Sequence, residues 1–184
     1  MAARGSAQIS VTEAALLGLL TRGEMSGYDL QRAAERSGGF FWAPAKSRIY
    51  AVLPQLVARG FATSREVVQE HRPNKQLYRI TRDGRAALQA WLEEPPSMEP
   101  ERNPLLLKIY FGELLEPSVL IAHVRKLNAE ATALKRRLEA LEPGESGPYG
   151  DLTVQHGLEW ARAMIRWAAS AEKELAARLP APVS

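Results

Sequence analysis

At Phe61 the apolar pattern of this 184-residue chain changes from that of a helix to that of a strand, and at Thr81 it changes back. Ala62 to Glu70 carries Thr63, Val67 and Val68, and Gln76 to Thr81 carries Leu77, Tyr78 and Ile80. Between them His71-Arg-Pro-Asn-Lys75 is rich in turn formers and of hairpin length. The sequence on both sides of this hairpin is helical, so whatever folds around it is made of helices.

Three helices are predicted before the hairpin. Ser10-Val-Thr-Glu13 has the pattern of a capping box, opening a helix whose Ala14, Ala15, Leu16, Leu17, Leu19 and Leu20 make it apolar nearly all round. Thr21-Arg-Gly23 stops it. Ser26-Gly-Tyr-Asp29 reads as a second cap, for a helix through Leu30, Ala33 and Ala34 that ends at Gly38-Gly39. Phe40, Phe41 and Trp42 follow, read as a hydrophobic plug between helices rather than a ligand or base-stacking site. Pro44 is placed to begin the third helix.

The third helix, Ala45 to Arg59, has Ile49, Val52, Leu53, Leu56 and Val57 at i, i+3, i+4, i+7 and i+8, one stripe wide enough to face a core. Its other side holds Lys46, Ser47, Arg48, Tyr50, Ala51 and Gln55, and no carboxylate occurs from Lys46 to Arg59. Gly60 closes it. Pro54 falls within it and removes a backbone hydrogen bond, so a kink or a shortened helix is expected. A fourth helix follows Thr81-Arg-Asp-Gly84 and runs through Leu88, Trp91 and Leu92. Three helices, a hairpin and a helix are the order of a winged helix-turn-helix, in which the third helix enters the major groove and the hairpin reaches alongside.

The expected fold is therefore mainly α with a small β-hairpin: a winged domain over residues 1–92, a proline-rich linker over 93–100 and an α-helical dimerisation domain over 101–184. In the last of these, Pro104 starts a helix with Leu105, Leu106, Ile109, Tyr110 and Leu114 toward a core. Pro117 starts another, with Leu120, Leu127, Leu134 and Leu141 seven residues apart, the spacing of a coiled-coil seam or an antiparallel helix pair. The final helix, about Asp151 to Leu179, carries two apolar stripes. One is Val154, Leu158, Ala161, Ile165 and Ala168; the other is Trp160, Met164, Trp167, Ala171 and Leu175. One neighbouring helix does not cover a face that wide, so part of it is expected to meet a second helix or a second chain. Trp160, Met164 and Trp167 are accordingly read as dimer interface, or as the lining of a pocket for a flat apolar ligand.

Charge separates the halves. Residues 1–92 hold 13 Lys and Arg against 7 Asp and Glu, whereas residues 93–184 hold 11 against 14. Only the first half suits a polyanion. Absence of cysteine excludes a disulfide scaffold and a thiolate metal site. No apolar leader precedes Ser10, and the densest apolar run, Ala14 to Leu20, is too short to span a bilayer, so no membrane partner and a cytoplasmic location are expected. His71, His123 and His156 lack metal-ligand spacing, and no phosphate loop, nucleophile elbow or HExxH motif occurs. These residues nominate no enzyme, metal or cofactor.

Laid out this way the chain resembles the PadR family of bacterial transcriptional regulators in its two-domain form. Ser26-Gly-Tyr-Asp-Leu30, Trp42, Ser47-Arg-Ile-Tyr50, Leu53, Leu56 and Gly60 carry the resemblance in the helices, and Arg72-Pro-Asn-Lys75 with Leu77-Tyr-Arg-Ile-Thr81 carry it in the hairpin. Gly84, Leu88, Trp91 and Leu92, then Leu106-Leu-Lys108, Phe111, Gly157, Trp160 and Trp167, extend it over roughly residues 9 to 179. Many members have proline directly after the tyrosine; here Ala51 follows Tyr50 and the proline is Pro54. The resemblance implies a homodimeric repressor without enzymatic activity, and, as in some members, release from DNA by a small aromatic or cationic effector.

On this reading the partner is double-stranded DNA bearing a pseudo-palindromic operator. Lys46 and Arg48 are assigned to base edges or phosphates, and Ser47 and Tyr50 to phosphate or thymine contacts. Arg72 and Lys75 are assigned to the backbone beside the wing. The alternative is a winged-helix scaffold that docks an acidic protein through its basic face and does not bind DNA sequence-specifically.

Overall fold

A computed structural model of the chain describes residues 8–37, 41–42, 44–68, 74–96, 102–142, 144 and 147–179. It divides into two compact units, residues 1–98 and 99–184. Among the described residues no helix is long and apolar enough to cross a membrane.

In the first unit the order is α1 (Val11–Leu20), β1 (Met25–Ser26), α2 (Gly27–Ser37), α3 (Lys46–Ala58), β2 (Ala62–Val67), β3 (Lys75–Ile80) and α4 (Arg82–Glu93). Both predicted caps form. The Ser10 hydroxyl accepts from Glu13 N–H, and the Glu13 carboxylate accepts from Ser10 N–H at 2.8 Å. Ser26 and Asp29 repeat the arrangement: Asp29 accepts from the Ser26 hydroxyl at 2.7 Å and the Ser26 N–H at 3.1 Å. Each box satisfies backbone donors that a helix start leaves without partners.

The helices close over a core in which Leu16, Leu17, Leu20, Leu30, Ile49, Leu53 and Leu56 are fully buried. Phe61, Ala62, Ile80 and Leu88 complete it, with Trp42, Tyr78 and Trp91 packed partly against it. Trp42 thus takes the plugging role, while Phe41 is largely exposed and Phe40 lies outside the described residues.

The sheet has three antiparallel strands in the order β1-β3-β2. Thr63 faces Arg79, Ser64 faces Tyr78 and Arg65 faces Leu77 across the hairpin. The third strand adds to the expected pair: Met25 and Ser26 lie against Tyr78 and Leu77. Two residues have no period to read, and Ser26 serves as both strand end and helix cap. The connector expectation also shifts by one residue, because Lys75 is the first residue of β3.

Helix α3 runs unbroken through Pro54, so the expected shortening does not occur. Tyr50, whose carbonyl Pro54 cannot serve, and Pro54 itself are both exposed, so the unserved acceptor lies on the water side rather than in the core. At the start of α4 the Thr81 hydroxyl accepts from Gly84 N–H at 3.0 Å and donates to the Gly60 carbonyl at 2.7 Å. A Cβ at Gly84 would stand 2.1 Å from the Phe61 carbonyl oxygen. Only glycine lets α4 lie that close to the chain entering β2.

The second unit contains α5 (Pro104–Tyr110), a 3-10 turn (Gly112–Leu114), α6 (Pro117–Glu139) and α7 (Pro148–Ala176). Helices α6 and α7 pair antiparallel, and Arg125 near the start of α6 binds Glu172 near the end of α7 at 2.7 Å. The leucine seam predicted on α6 is half of the contact. Leu120 is buried, but Leu127, Leu134 and Leu141 are half-buried, and the fully buried heptad is Val124, Ala131 and Leu138. On α7 the buried positions are Gly157, Ala161 and Ala168. Small residues let two helix backbones approach closely, which hydrophobicity alone does not signal.

Candidate nucleic-acid interface

The front of α3 is built by its back. Ile49 is 0% exposed, and the helix turns Lys46, Ser47, Arg48 and Tyr50 outward around it. Helices α1, α2 and α4 each begin with a side-chain cap, whereas no side chain caps Ala45 at the start of α3, and its first turn holds no acidic residue. Backbone N–H groups and the positive end of the helix dipole therefore point outward beside Lys46 and Arg48.

Four other cations of this unit are used differently. Glu24, just before β1, binds Arg65 of β2 at 2.7 Å and Arg79 of β3 at 3.0 Å. The hydrogen bond from Arg65 leads in holding the Glu24 carboxyl below its usual range, with Arg79 assisting. Asp29 binds the Lys75 ammonium at 2.9 Å, and the Ser26 hydroxyl together with Lys75 brings the Asp29 carboxyl down to about 2. Arg59, at the far end of α3, pairs with Glu13 and donates to the Gln8 carbonyl at 3.1 Å. Burial pushes the Glu13 carboxyl up, but the bonds from Ser10 and the Arg59 guanidinium outweigh it and leave it lowered. These pairs tie α3 and the sheet to α1 and to the start of α2. Lys46 and Arg48 are left outside that network on the exposed front of α3.

Among the predicted DNA contacts, the structure therefore groups Lys46, Ser47, Arg48 and Tyr50 on one surface. Lys46 Nζ stands 5.8 Å from the Tyr50 ring centre, and Tyr50 neighbours Tyr78, whose hydroxyl pKa is raised by burial and by Tyr50. Lys75 is half-buried and already ion-paired. Arg72 lies outside the described residues. Glu24 and Glu13 were not singled out from the sequence as partners; ion pairs spanning 41 to 55 residues leave no local signature.

In the second unit Trp167 is set apart from Trp160 and Met164 by the cavity it lines. Trp167 lines a cavity of about 690 Å³ with Ile109, Tyr110, Leu115, Leu120 and Leu175. Met164 is half-buried, and Trp160 is 40% exposed and does not line that cavity. The contribution of α5 to it was missed, because nothing in a seven-residue helix announces which neighbour it lies on.

Residues 16–90 match the family described as "Transcriptional regulator PadR-like family", and residues 101–176 match "Virulence activator alpha C-term". The negative transcriptional regulator PadR of Bacillus subtilis is 37% identical over 102 residues, which are 55% of this chain and 56% of that protein. The chain's sequence matches span about half the length of the curated relatives. The fold is similar to the crystal structure of Bacillus subtilis PadR in complex with operator DNA, with a TM-score of 0.76 and 31% identity. That likeness covers 90% of this chain and 99% of the other. The same protein in complex with p-coumaric acid gives a TM-score of 0.69 at 27% identity, again over 90% and 99% of the two chains. With a family match over residues 16–90 and a 31% identical relative of the same fold over 90% of the chain, the chain belongs to the PadR-like family of transcriptional regulators.

Proposed function

We propose that this chain is a homodimeric repressor that binds a pseudo-palindromic operator through α3 and the adjoining hairpin. The observation that carries the reading is the start of α3, uncapped, free of carboxylates and exposed, within a unit whose other helices are capped and in which Arg59, Arg65, Lys75 and Arg79 are held in ion pairs. Arg48 and Lys46 are assigned to base edges or phosphates, and Ser47 and Tyr50 to phosphate or thymine. Arg72 and Lys75 are assigned to the backbone beside the wing, Lys75 acting from a position fixed by Asp29. The solved relative bound to operator DNA supports this reading.

The second unit supplies the dimer, because α5 buries none of its residues and Leu106, Leu107, Tyr110, Phe111 and Leu114 stand exposed. Trp160, Met164 and Trp167 belong to that interface or to an effector site, with the cavity beside Trp167 the place for a flat aromatic compound. The relative solved with p-coumaric acid supports the latter. A regulator of this kind acts on DNA in the cytoplasm and catalyses nothing.

A gel-shift titration against the chain's own upstream DNA, with unrelated competitor, tests the reading. A specific complex is expected, with log K falling against log salt at a slope of about −5 to −7 for six to eight phosphates. Arg48→Ala should weaken it by about 1–3 kcal/mol. A slope near zero, or no specific complex, favours the scaffold with an acidic partner instead.

A further inference from the structure

Gly27, the first residue of α2, lies against the ring of Tyr50. A Cβ there would stand 2.8 Å from Tyr50 Cε1 and 3.1 Å from Cζ, with Leu53 Cδ1 at 3.4 Å. Nothing in the backbone asks for glycine at this position. Gly27 is not among the residues with positive φ, so its backbone conformation is one that other residues adopt. What requires the missing side chain is the tyrosine. Leu53, fully buried, is the same helix's anchor in the core, so α3 cannot back away to make room. Tyr50 is 45% exposed, and Lys46 Nζ lies 5.8 Å from its ring centre. A lysine resting near an aromatic face keeps fewer of its rotamers and gives up less entropy when it meets a phosphate.

We propose that Gly27 is a positioning residue for DNA binding. Its bare backbone lets Tyr50 lie against the start of α2, and Tyr50 in turn holds the Lys46 ammonium at the reading end of α3. A methyl group at Gly27 pushes the ring outward and displaces Lys46 with it. The inference rests on the DNA-binding function proposed above and adds to it a residue that touches no DNA.

The displaced atoms are the far end of a side chain free to rotate, and alanine favours the helix, so Gly27→Ala is expected to fold with an unchanged melting temperature. Operator affinity, measured by fluorescence anisotropy across a salt series, should fall roughly five- to tenfold, and the salt slope should become shallower by about one, as for Lys46→Ala. In a Tyr50→Ala background the same glycine substitution should change affinity by less than about twofold, because the ring it displaces is gone. In the free wild-type protein an NMR cross-peak should link Gly27 Hα to Tyr50 Hε. Absence of that cross-peak, an unaltered affinity in Gly27→Ala, or an equal loss in the Tyr50→Ala background each overturns the proposal. A specific wild-type complex that Gly27→Ala leaves intact removes only this role of Gly27. A cross-peak without any specific complex removes the DNA-binding function, and this inference with it.

Discussion

The two units spend their apolar residues in opposite ways. In residues 1–98 the leucines and isoleucine of α1, α2 and α3 are sealed into one core, and the exposed front of α3 is polar or cationic. In residues 99–184 helices α6 and α7 bury a narrow seam, its α7 side made of Gly157, Ala161 and Ala168, while Leu106, Leu107, Tyr110, Phe111, Leu114, Leu152 and Trp160 remain exposed. One unit has a finished core with a charged face. The other leaves much of its apolar surface uncovered. Exposed apolar surface on that scale marks an association site, which supports the assembly role proposed for the second unit.

The largest expected effect tests the finished core. Leu56→Ala removes a side chain with 0% exposure and should cost about 2–5 kcal/mol, measured by urea denaturation. A change below about 1 kcal/mol would mean the first unit is looser than its burial indicates. The second unit should answer differently. Leu114 is 83% exposed, so Leu114→Glu should leave the fold of each chain intact but weaken self-association by roughly tenfold or more. Light scattering at micromolar concentration should show wild type at twice the 20.3 kDa chain mass and the variant shifting toward one. A wild type that scatters as a single chain, or a variant that stays dimeric, would break the contrast between the units.

How far the sequence announces these features follows from their range. The two capping boxes, the α3 stripe and the hairpin rest on residues within a few positions of each other, and each is present. What escapes local reading depends on distant partners or on size. The edge strand β1 exists because β3 is there to receive it. The α6–α7 seam runs through Val124, Ala131 and Leu138 rather than along the leucines alone, and the α7 positions it buries are the small Gly157, Ala161 and Ala168. Pro54, read as shortening or kinking α3, does not shorten it, because on the exposed side of the helix the lost bond is tolerable. Within the candidate interface, Lys46, Ser47, Arg48 and Tyr50 are legible from one turn of helix. The role of Gly27 and the pairing of Lys75 are not, since both depend on how α2 meets α3 and the sheet.

The smallest effect concerns that junction and separates fixed charges from free ones in the first unit. The Asp29 carboxyl ordinarily titrates near 3.8, and the Ser26 hydroxyl, then Lys75, bring it down to about 2. A carboxyl held charged by the fold contributes stability above its unfolded pKa, and that contribution is lost as pH falls through the folded one. The window is therefore about pH 4 down to about pH 2. Because the Asp29 side chain is 43% exposed, water and salt screen the pair, and about 1 kcal/mol is a fair expectation. Asp29→Asn cannot lose this term on acidification. Urea midpoints at pH 6 and pH 2.5 should converge between wild type and variant at the lower pH, the wild type having fallen further. Parallel decline of the two would mean that neither the Ser26 hydroxyl nor Lys75 holds the Asp29 carboxyl charged in the folded chain.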